Sequence, residues 1–169
     1  MKKHELTDDT ITVGSRILHR IKALKSFSDV EEGDLGGYVE KEDNLNQSGN
    51  AWVYGNARVY GDARVSGNAQ VCGNARVCGN AQVYGDARVY GDAWVSGEND
   101  YTTAKGFGRE YRTTTFFRLK DGGIGVRCGC FYGTLDEFRK KVKETHKESK
   151  LGKEYLMLAD LMEYKFKNE

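Results

Sequence analysis

A six-residue repeat fills residues 49–96 and constrains the fold more than any other feature of the sequence. The unit Gly-Xaa-Ala-Xaa-Val-Xaa occurs eight times without an insertion, and Asn or Asp follows the glycine each time. Because Ala and Val are two positions apart, they share one face of a short extended segment. The Gly-Asn and Gly-Asp pairs supply the positive φ that a sharp corner needs. The pattern predicts a solenoid, since four residues between corners are too few for paired hairpin strands.

The repeat closely resembles the hexapeptide-repeat family, in which an aliphatic residue is followed four positions later by a small one. Val53 and Ala57 follow this rule, as does every later pair. The resemblance implies a left-handed parallel β-helix of triangular section with three repeats per coil, and the eight repeats then make about 2.7 coils. Residues 37–48 stay in phase with the repeat and are expected to form two degenerate units, with Val39 and Leu45 in the alanine column.

The segments beside the repeat divide the chain into three predicted domains. Residues 1–36 form an N-terminal capping segment with a strand that leads into the solenoid, residues 37–98 form the β-helix, and residues 99–169 form a C-terminal domain. The predicted fold class is mainly β: a left-handed parallel β-helix with a small C-terminal β-hairpin and two α-helices.

Within the C-terminal domain, residues 101–109 are expected to be a loop and residues 111–131 a hairpin. Thr134 and Glu137 have the spacing of a capping box, which predicts the start of a helix that runs to about Lys147. A second helix is predicted from about Gly152 to Lys167. The predicted buried residues of the two helices are Leu135, Phe138 and Val142, and Tyr155, Leu158, Leu161, Met162 and Phe166.

Composition limits the partners of the chain. Twenty-six Lys and Arg against 25 Asp and Glu give a net charge of +1, so we expect no long duplex nucleic acid and no anionic membrane as partner. There is no apolar run long enough for a membrane helix and no signal-peptide pattern, which predicts a cytoplasmic protein. Residues 101–169 contain 15 basic and 10 acidic side chains, so an anionic ligand is expected to bind there.

Large aromatic side chains occupy outward positions of the repeat, where they predict a covered surface. Members of the resembled family commonly form side-by-side trimers, so we expect a homotrimer. An alternative, compatible with it, is that the C-terminal segment folds back onto these faces. The predicted interface residues are Trp52, Tyr54, Tyr60, Tyr90 and Trp94.

The resembled family is best known for acyltransferases that use coenzyme A or acyl carrier protein, with a histidine as the usual general base. This chain has no histidine between residues 20 and 145, and its repeats lack the insertion loop that often shapes the acceptor site. We therefore predict no catalytic residue and no cofactor. The four cysteines lack the spacing and partners of a metal site, so no metal is predicted and the thiols are expected to be reduced packing residues.

Basic and aromatic residues near the predicted hairpin form the candidate ligand site. Guanidinium groups beside aromatic rings suit a phosphate and a stacked base, as in a nucleotide or short oligonucleotide. The alternative is a strand with a solvated polar face. The candidate ligand-binding residues are Tyr111, Arg112, Thr114, Arg118, Lys120, Arg127 and Tyr132.

The segments before and after the repeat also resemble those of uncharacterised phage and prophage proteins. Together with the basic tail, this resemblance suggests a non-enzymatic phage-type binding protein that captures a host component, either a host protein or a nucleotide-like immune signal. A divergent hexapeptide-repeat acyltransferase and a structural assembly module are the alternatives.

Overall fold

The computed structural model describes residues 1–167. Three longer strands precede eight two-residue strands of the repeat, and a sheet and two helices follow. The strands are β1 (His4–Val13), β2 (Arg16–Ala23), β3 (Leu35–Val39), β4 (Trp52–Val53), β5 (Arg58–Val59), β6 (Arg64–Val65), β7 (Gln70–Val71), β8 (Arg76–Val77), β9 (Gln82–Val83), β10 (Arg88–Val89), β11 (Trp94–Val95), β12 (Tyr101–Phe107), β13 (Arg112–Arg118), β14 (Ile124–Cys128) and β15 (Phe131–Thr134). The helices are α1 (Leu135–His146) and α2 (Lys150–Lys165).

The repeat forms a β-solenoid of about three turns. Its strands pair in parallel with partners 18 residues away and form three faces: β5-β8-β11, β4-β7-β10 and β6-β9. The alanine and valine columns point inward and are buried. At the corners, glycines of neighbouring coils lie over one another. A Cβ added to Gly67, which has φ of +68°, would come within 2.9 Å of the Gly85 nitrogen. The mainly β solenoid is therefore confirmed, and its left-handed sense stays a prediction.

The first coil has a different register from the one predicted. Val39 pairs with Val59 and Leu45 with Val65, so each partner is 20 residues away rather than 18. The corner after Leu45 contains two additional residues, because Asn46 donates to the carbonyl of Val65 and the next ladder bond starts only at Asn50. The expectation that Val39 and Leu45 occupy the alanine column is wrong. They lie in the valine column.

The N-terminal segment is an antiparallel hairpin, β1-β2, rather than the single predicted strand. Gly14, with φ of +60°, lies in the turn between its strands. β2 pairs with β3, and β3 pairs in parallel with β5, so the hairpin extends one solenoid face into a six-stranded sheet. Leu18 and Ile21 on β2 are fully buried. The burial of these two apolar side chains stabilises β2 against the rest of the sheet.

Asn44 closes the N-terminal end of the solenoid at one corner. Its Nδ2 donates to the carbonyls of Gly61 (3.1 Å) and Ala63 (2.8 Å), groups that a preceding coil would otherwise bind. Its Oδ1 accepts from the amides of Glu40 and Lys41. One side chain thus replaces several ladder hydrogen bonds of the coil end.

The C-terminal end is covered by the sheet β12-β13-β14-β15, which is antiparallel throughout. Thr115 on β13 accepts from the amide of Arg88 at 2.9 Å, and Phe117 joins the solenoid core. The predicted hairpin is present as β13-β14, but the predicted loop 101–109 is wrong because 101–107 form β12. Tyr101 anchors this strand, since its hydroxyl donates to the carbonyl of Gln82 at 2.6 Å.

Both predicted helices are present and cover the other face of this sheet, around Phe116 and Val126. The capping box is also present: the Glu137 amide donates to the Thr134 hydroxyl, and the Thr134 amide donates to the Glu137 carboxylate. Of the predicted buried helix residues, Leu161 differs, being 57% exposed. No helix within residues 1–167 is long and apolar enough to cross a membrane.

Candidate ligand cleft

A cleft of about 440 Å³ lies where the solenoid meets the C-terminal sheet, and we call it the ligand cleft. Four cationic side chains and one carboxylate contribute to its wall. The lining residues are Asp86, Arg88, Lys105, Tyr111, Arg112, Thr113, Arg127, Gly129 and Cys130. The volume falls within the range of roughly 300–1,000 Å³ that is usual for small-molecule sites.

Strand pairing explains how distant residues meet in this cleft. Arg127 on β14 is opposite Thr115 on β13, and Thr115 contacts the amide of Arg88 on the last coil. Arg127 therefore lies on the face of the sheet that covers the solenoid. Its Cζ lies 4.7 Å from the centroid of the Tyr90 ring, within cation–π range.

The charges of the cleft are only partly balanced. Lys105 forms an ion pair with Asp86 at 3.6 Å. In the described part of the chain, Arg88, Arg112 and Arg127 have no carboxylate within 4.0 Å. The Nε of Arg127 is buried and has no hydrogen-bond partner among residues 1–167. A buried donor of this kind is costly unless a ligand or water accepts from it.

The cleft brings together three of the seven predicted ligand residues: Tyr111, Arg112 and Arg127. Tyr111 is 69% exposed, in a turn with φ of +49°. Tyr132 is opposite Arg127 in the β14-β15 pair, and its ring stacks on Phe117. It borders the cleft without lining it.

The other predicted ligand residues lie elsewhere. Thr114 is fully buried on the helix side of the sheet, where its hydroxyl donates to Cys128 Sγ at 3.2 Å. Arg118 forms an ion pair with Asp100 at 3.2 Å and donates to the backbone carbonyl of Phe166, just after α2. Lys120 lines a separate groove on a solenoid face. Thr114 lies on the helix side of the sheet and Arg127 on the solenoid side, so no single site takes all seven residues.

Two cationic residues of the cleft, Arg88 and Lys105, are absent from the residues predicted from the sequence. Arg88 occupies an outward position of the repeat, where nothing in the period distinguishes it from the arginines of other units. Lys105 lies in the segment that was expected to be a loop. Residues 101–107 contain a Thr-Thr pair and an aromatic residue at each end, a composition typical of a strand. Assigned as a strand, this segment places Lys105 beside β13.

Two of the predicted interface residues are covered by the N-terminal segment. Trp52 is 1% exposed, with Phe27 at 5.4 Å and His4 at 6.3 Å between ring centroids. The hydroxyl of Tyr54 donates to Asp29 at 2.9 Å. Trp52 occupies an outward position of the repeat, since Ala51 and Val53 beside it point into the core, and residues before the repeat fold back over it.

The remaining predicted interface residues differ in exposure. Tyr90 lies beneath Arg127 of the C-terminal sheet. At this residue the C-terminal segment folds back onto the solenoid face, as the alternative to a subunit contact predicts. Tyr60 contacts the Arg16 guanidinium at 5.9 Å. Trp94 remains 39% exposed. The homotrimer stays a prediction.

The lining of the cleft is mainly cationic. No histidine is among its lining residues, and the three histidines lie elsewhere in the fold. His4 is fully buried, and desolvation lowers its pKa to about 4. Burial also raises the pKa of Cys72, a neighbour of Tyr90, to about 11, so this thiol stays protonated at neutral pH. All four cysteines are free thiols, and Cys130 is exposed at the cleft.

Fold and repeat together define a β-solenoid built from six-residue repeats. A family model described as YdcK β-solenoid repeat matches residues 51–67, 57–71, 69–82 and 81–97. A segment of 38 residues is 42% identical to the uncharacterized acetyltransferase YdcK of Escherichia coli strain K12, and it covers 22% of this chain and 12% of that protein. The resemblance to hexapeptide-repeat proteins is thereby confirmed, and the resemblance to phage proteins stays a prediction.

Proposed function

We propose that this protein is a non-enzymatic binding protein whose ligand cleft takes a phosphate-bearing small molecule of the nucleotide type. The observation that carries the proposal is the convergence of Arg88, Arg112 and Arg127, which have no carboxylate partner in the described residues. An anion in the cleft would relieve their mutual repulsion.

Residue types in the cleft favour phosphate joined to a flat ring. Guanidinium groups present a planar set of donors that match phosphate oxygens two at a time. Tyr111 offers an exposed ring, on which a base can stack for about 1–3 kcal/mol. Since the cleft is small and the chain has a net charge of only +1, a mononucleotide or dinucleotide suits it better than a long polymer.

In its most specific form, the proposal is a phage-encoded homotrimer that acts in the host cytoplasm and captures a nucleotide immune signal. The cleft chemistry and the resemblance of the flanking segments to phage proteins support this form. Native mass spectrometry of the purified protein measures both the subunit number and any retained ligand. A trimer that releases a stoichiometric phosphate compound on denaturation is the expected result.

A panel of mononucleotides and cyclic dinucleotides, titrated by calorimetry, tests the cleft directly. The double variant Arg112→Gln/Arg127→Gln is expected to lose at least tenfold in affinity for the best ligand. The matched control is Arg64→Gln, an exposed arginine in an outward repeat position on another face. Binding that survives the double variant, or a panel in which nothing binds, contradicts the proposal.

The second candidate is a divergent acetyltransferase, and the similarity to the protein named uncharacterized acetyltransferase favours it. Coenzyme A also carries phosphates, so binding alone does not separate the two functions. Release of free coenzyme A from acetyl-coenzyme A in the presence of amine and sugar acceptors does. Turnover that stops in Arg112→Gln/Arg127→Gln would establish the enzyme, whereas binding without turnover favours the proposed binding protein.

A further inference from the structure

Five outward side chains form a row across the six-stranded sheet, and we call it the arginine–aromatic row. The strand register pairs Arg20 with Tyr38, Tyr38 with Arg58, Arg58 with Arg76, and Arg76 with Trp94. Neighbouring strands are roughly 4.8 Å apart, so the row is about 19 Å long. The valines that follow Tyr38, Arg58, Arg76 and Trp94 point into the core, which fixes the row on the outside.

One half of the row is internally satisfied. Arg20 lies over the Tyr38 ring at 4.5 Å, and its Nε donates to Asp9 at 2.8 Å. Its remaining nitrogens donate to the Gly36 carbonyl and the Tyr38 hydroxyl. Tyr38 itself is 8% exposed. This half therefore leaves few groups for a ligand.

The other half lines a groove of about 250 Å³, which we call the Trp94 groove. Its lining residues are Asn56, Arg58, Asn74, Arg76, Asp92, Ala93, Trp94 and Lys120. It shares no lining residue with the ligand cleft. Lys120 is held at the end of the groove, because its amide donates to the Asp92 carbonyl at 2.9 Å.

Positive charge in the Trp94 groove is incompletely balanced. Arg58 and Arg76 lie on adjacent strands, and neither has a carboxylate within 4.0 Å among residues 1–167. Asp92 is the acidic side chain in the lining, set against three cations. Arginines on adjacent strands repel each other, and a bound anion offsets this repulsion.

Trp94 adds a stacking surface to the cations. The guanidinium of Arg76 lies 5.5 Å from its ring centroid, and the indole remains 39% exposed. Sites for single-stranded nucleic acid combine cations along the phosphate backbone with aromatic rings on which the bases stack. From Arg58 to Trp94 the groove spans about 10 Å, a length that suits a short single-stranded segment rather than a long one.

We propose that the Trp94 groove binds a short single-stranded oligonucleotide, with phosphates on Arg58, Arg76 and Lys120 and one base stacked on Trp94. Asn56 and Asn74, at the same corner of two successive coils, offer amide donors and acceptors beside the bound strand. The assignment is independent of the ligand cleft. It excludes the trimer contact predicted for Trp94, because a subunit packed on this ring would close the groove.

A fluorescein-labelled thymidine hexanucleotide tests the proposal by anisotropy, together with the tryptophan emission of the protein. Binding is expected to quench the emission in the wild type, and Trp94→Phe should remove the quenching, since Trp52 is buried. Arg58→Gln/Arg76→Gln should weaken binding at least tenfold and reduce the slope of log K against log salt by about 1.4. Arg64→Gln, the matched control, should leave affinity within twofold.

Several outcomes overturn the assignment. The first is an Arg58→Gln/Arg76→Gln protein that melts like the wild type and binds equally well. The second is an equal loss in Arg64→Gln, which indicates a diffuse charge effect. A sulfated oligosaccharide of the same charge that binds as tightly would identify a general polyanion surface. Oligomers in which Trp94 is shielded from acrylamide and the oligonucleotide does not bind would assign the groove to subunit contact.

Discussion

Lys3 donates from Nζ to the carbonyl oxygen of Ala51 at 2.8 Å and reaches the Gly49 carbonyl at 3.5 Å. The lysine is fully buried, with its ammonium 5.2 Å from the Phe27 ring centroid. Ala51 belongs to the first regular repeat, and its carbonyl would accept from a preceding coil if there were one. A charged side chain therefore stands in for a backbone donor at this end of the solenoid.

Burial of Lys3, and secondarily the charge of Lys25, lowers the Lys3 pKa from 10.5 to about 8. Between pH 8 and 10.5 the unfolded chain then binds more protons at this residue than the folded chain, so its contribution to stability increases as pH rises. We expect the wild type to gain about 1–2 kcal/mol relative to Lys3→Met between pH 7.5 and 9.5. Urea unfolding at each pH measures the difference, and parallel profiles would contradict it.

His4 should make the protein sensitive to acid. Desolvation, with smaller effects from nearby charges, lowers its pKa to about 4 from 6.5, so the unfolded chain binds the additional proton between these values. Stability is fully present above pH 6.5 and decreases as pH falls towards 4. The wild type should lose about 2 kcal/mol more than His4→Gln between pH 7 and 4.5. Equal losses in both proteins would show that other groups dominate the acid response.

Asn44→Ala should destabilise the N-terminal end of the solenoid. The change leaves the Gly61 and Ala63 carbonyls and the Glu40 amide without their present partners, so we expect a loss of about 3 kcal/mol. Asn50→Ala is the control, because its side chain is exposed and bonds to Asn68. Chemical denaturation should separate the two variants clearly. A similar, small effect in both would mean that water replaces the Asn44 amide.

Arg118 is expected to stabilise the fold rather than bind the ligand. It pairs with Asp100, and Asp100 also accepts from the amide and hydroxyl of Ser96, which holds the pKa of this carboxyl below its usual value. Arg118→Met should cost about 1 kcal/mol of stability and leave nucleotide affinity at the ligand cleft unchanged. Reduced affinity at full stability would return Arg118 to the binding site.

The repeat itself could be predicted because each unit satisfies the same local requirement. Glycine provides the corner, and alanine and valine fill a narrow core, so no distant contact is needed to recognise them. The prediction for Val39 and Leu45 is wrong because one corner contains two additional residues, and the six-residue pattern of the sequence does not show them. The capping box at Thr134 was recognisable for the same reason as the repeat: all its partners lie within four residues.

Long-range packing explains what the sequence did not show. The burial of Trp52 depends on Phe27, which is 25 positions away and lies outside the repeat. Arg112 and Arg127 were recognised as candidate residues from the composition of the hairpin. Arg88 joins them only because β13 crosses the last coil, and that position depends on the fit of Phe117 into the solenoid.

The closure of both solenoid ends has a consequence for growth. Side-chain donors hold the carbonyls at one end, and a strand of the C-terminal sheet crosses the other, so a second molecule could add coils only by breaking these bonds. Parallel stacking of copies into a filament is therefore opposed at both termini of the coil stack. Association between copies of this chain, if it occurs, should therefore be lateral, through the walls of the solenoid.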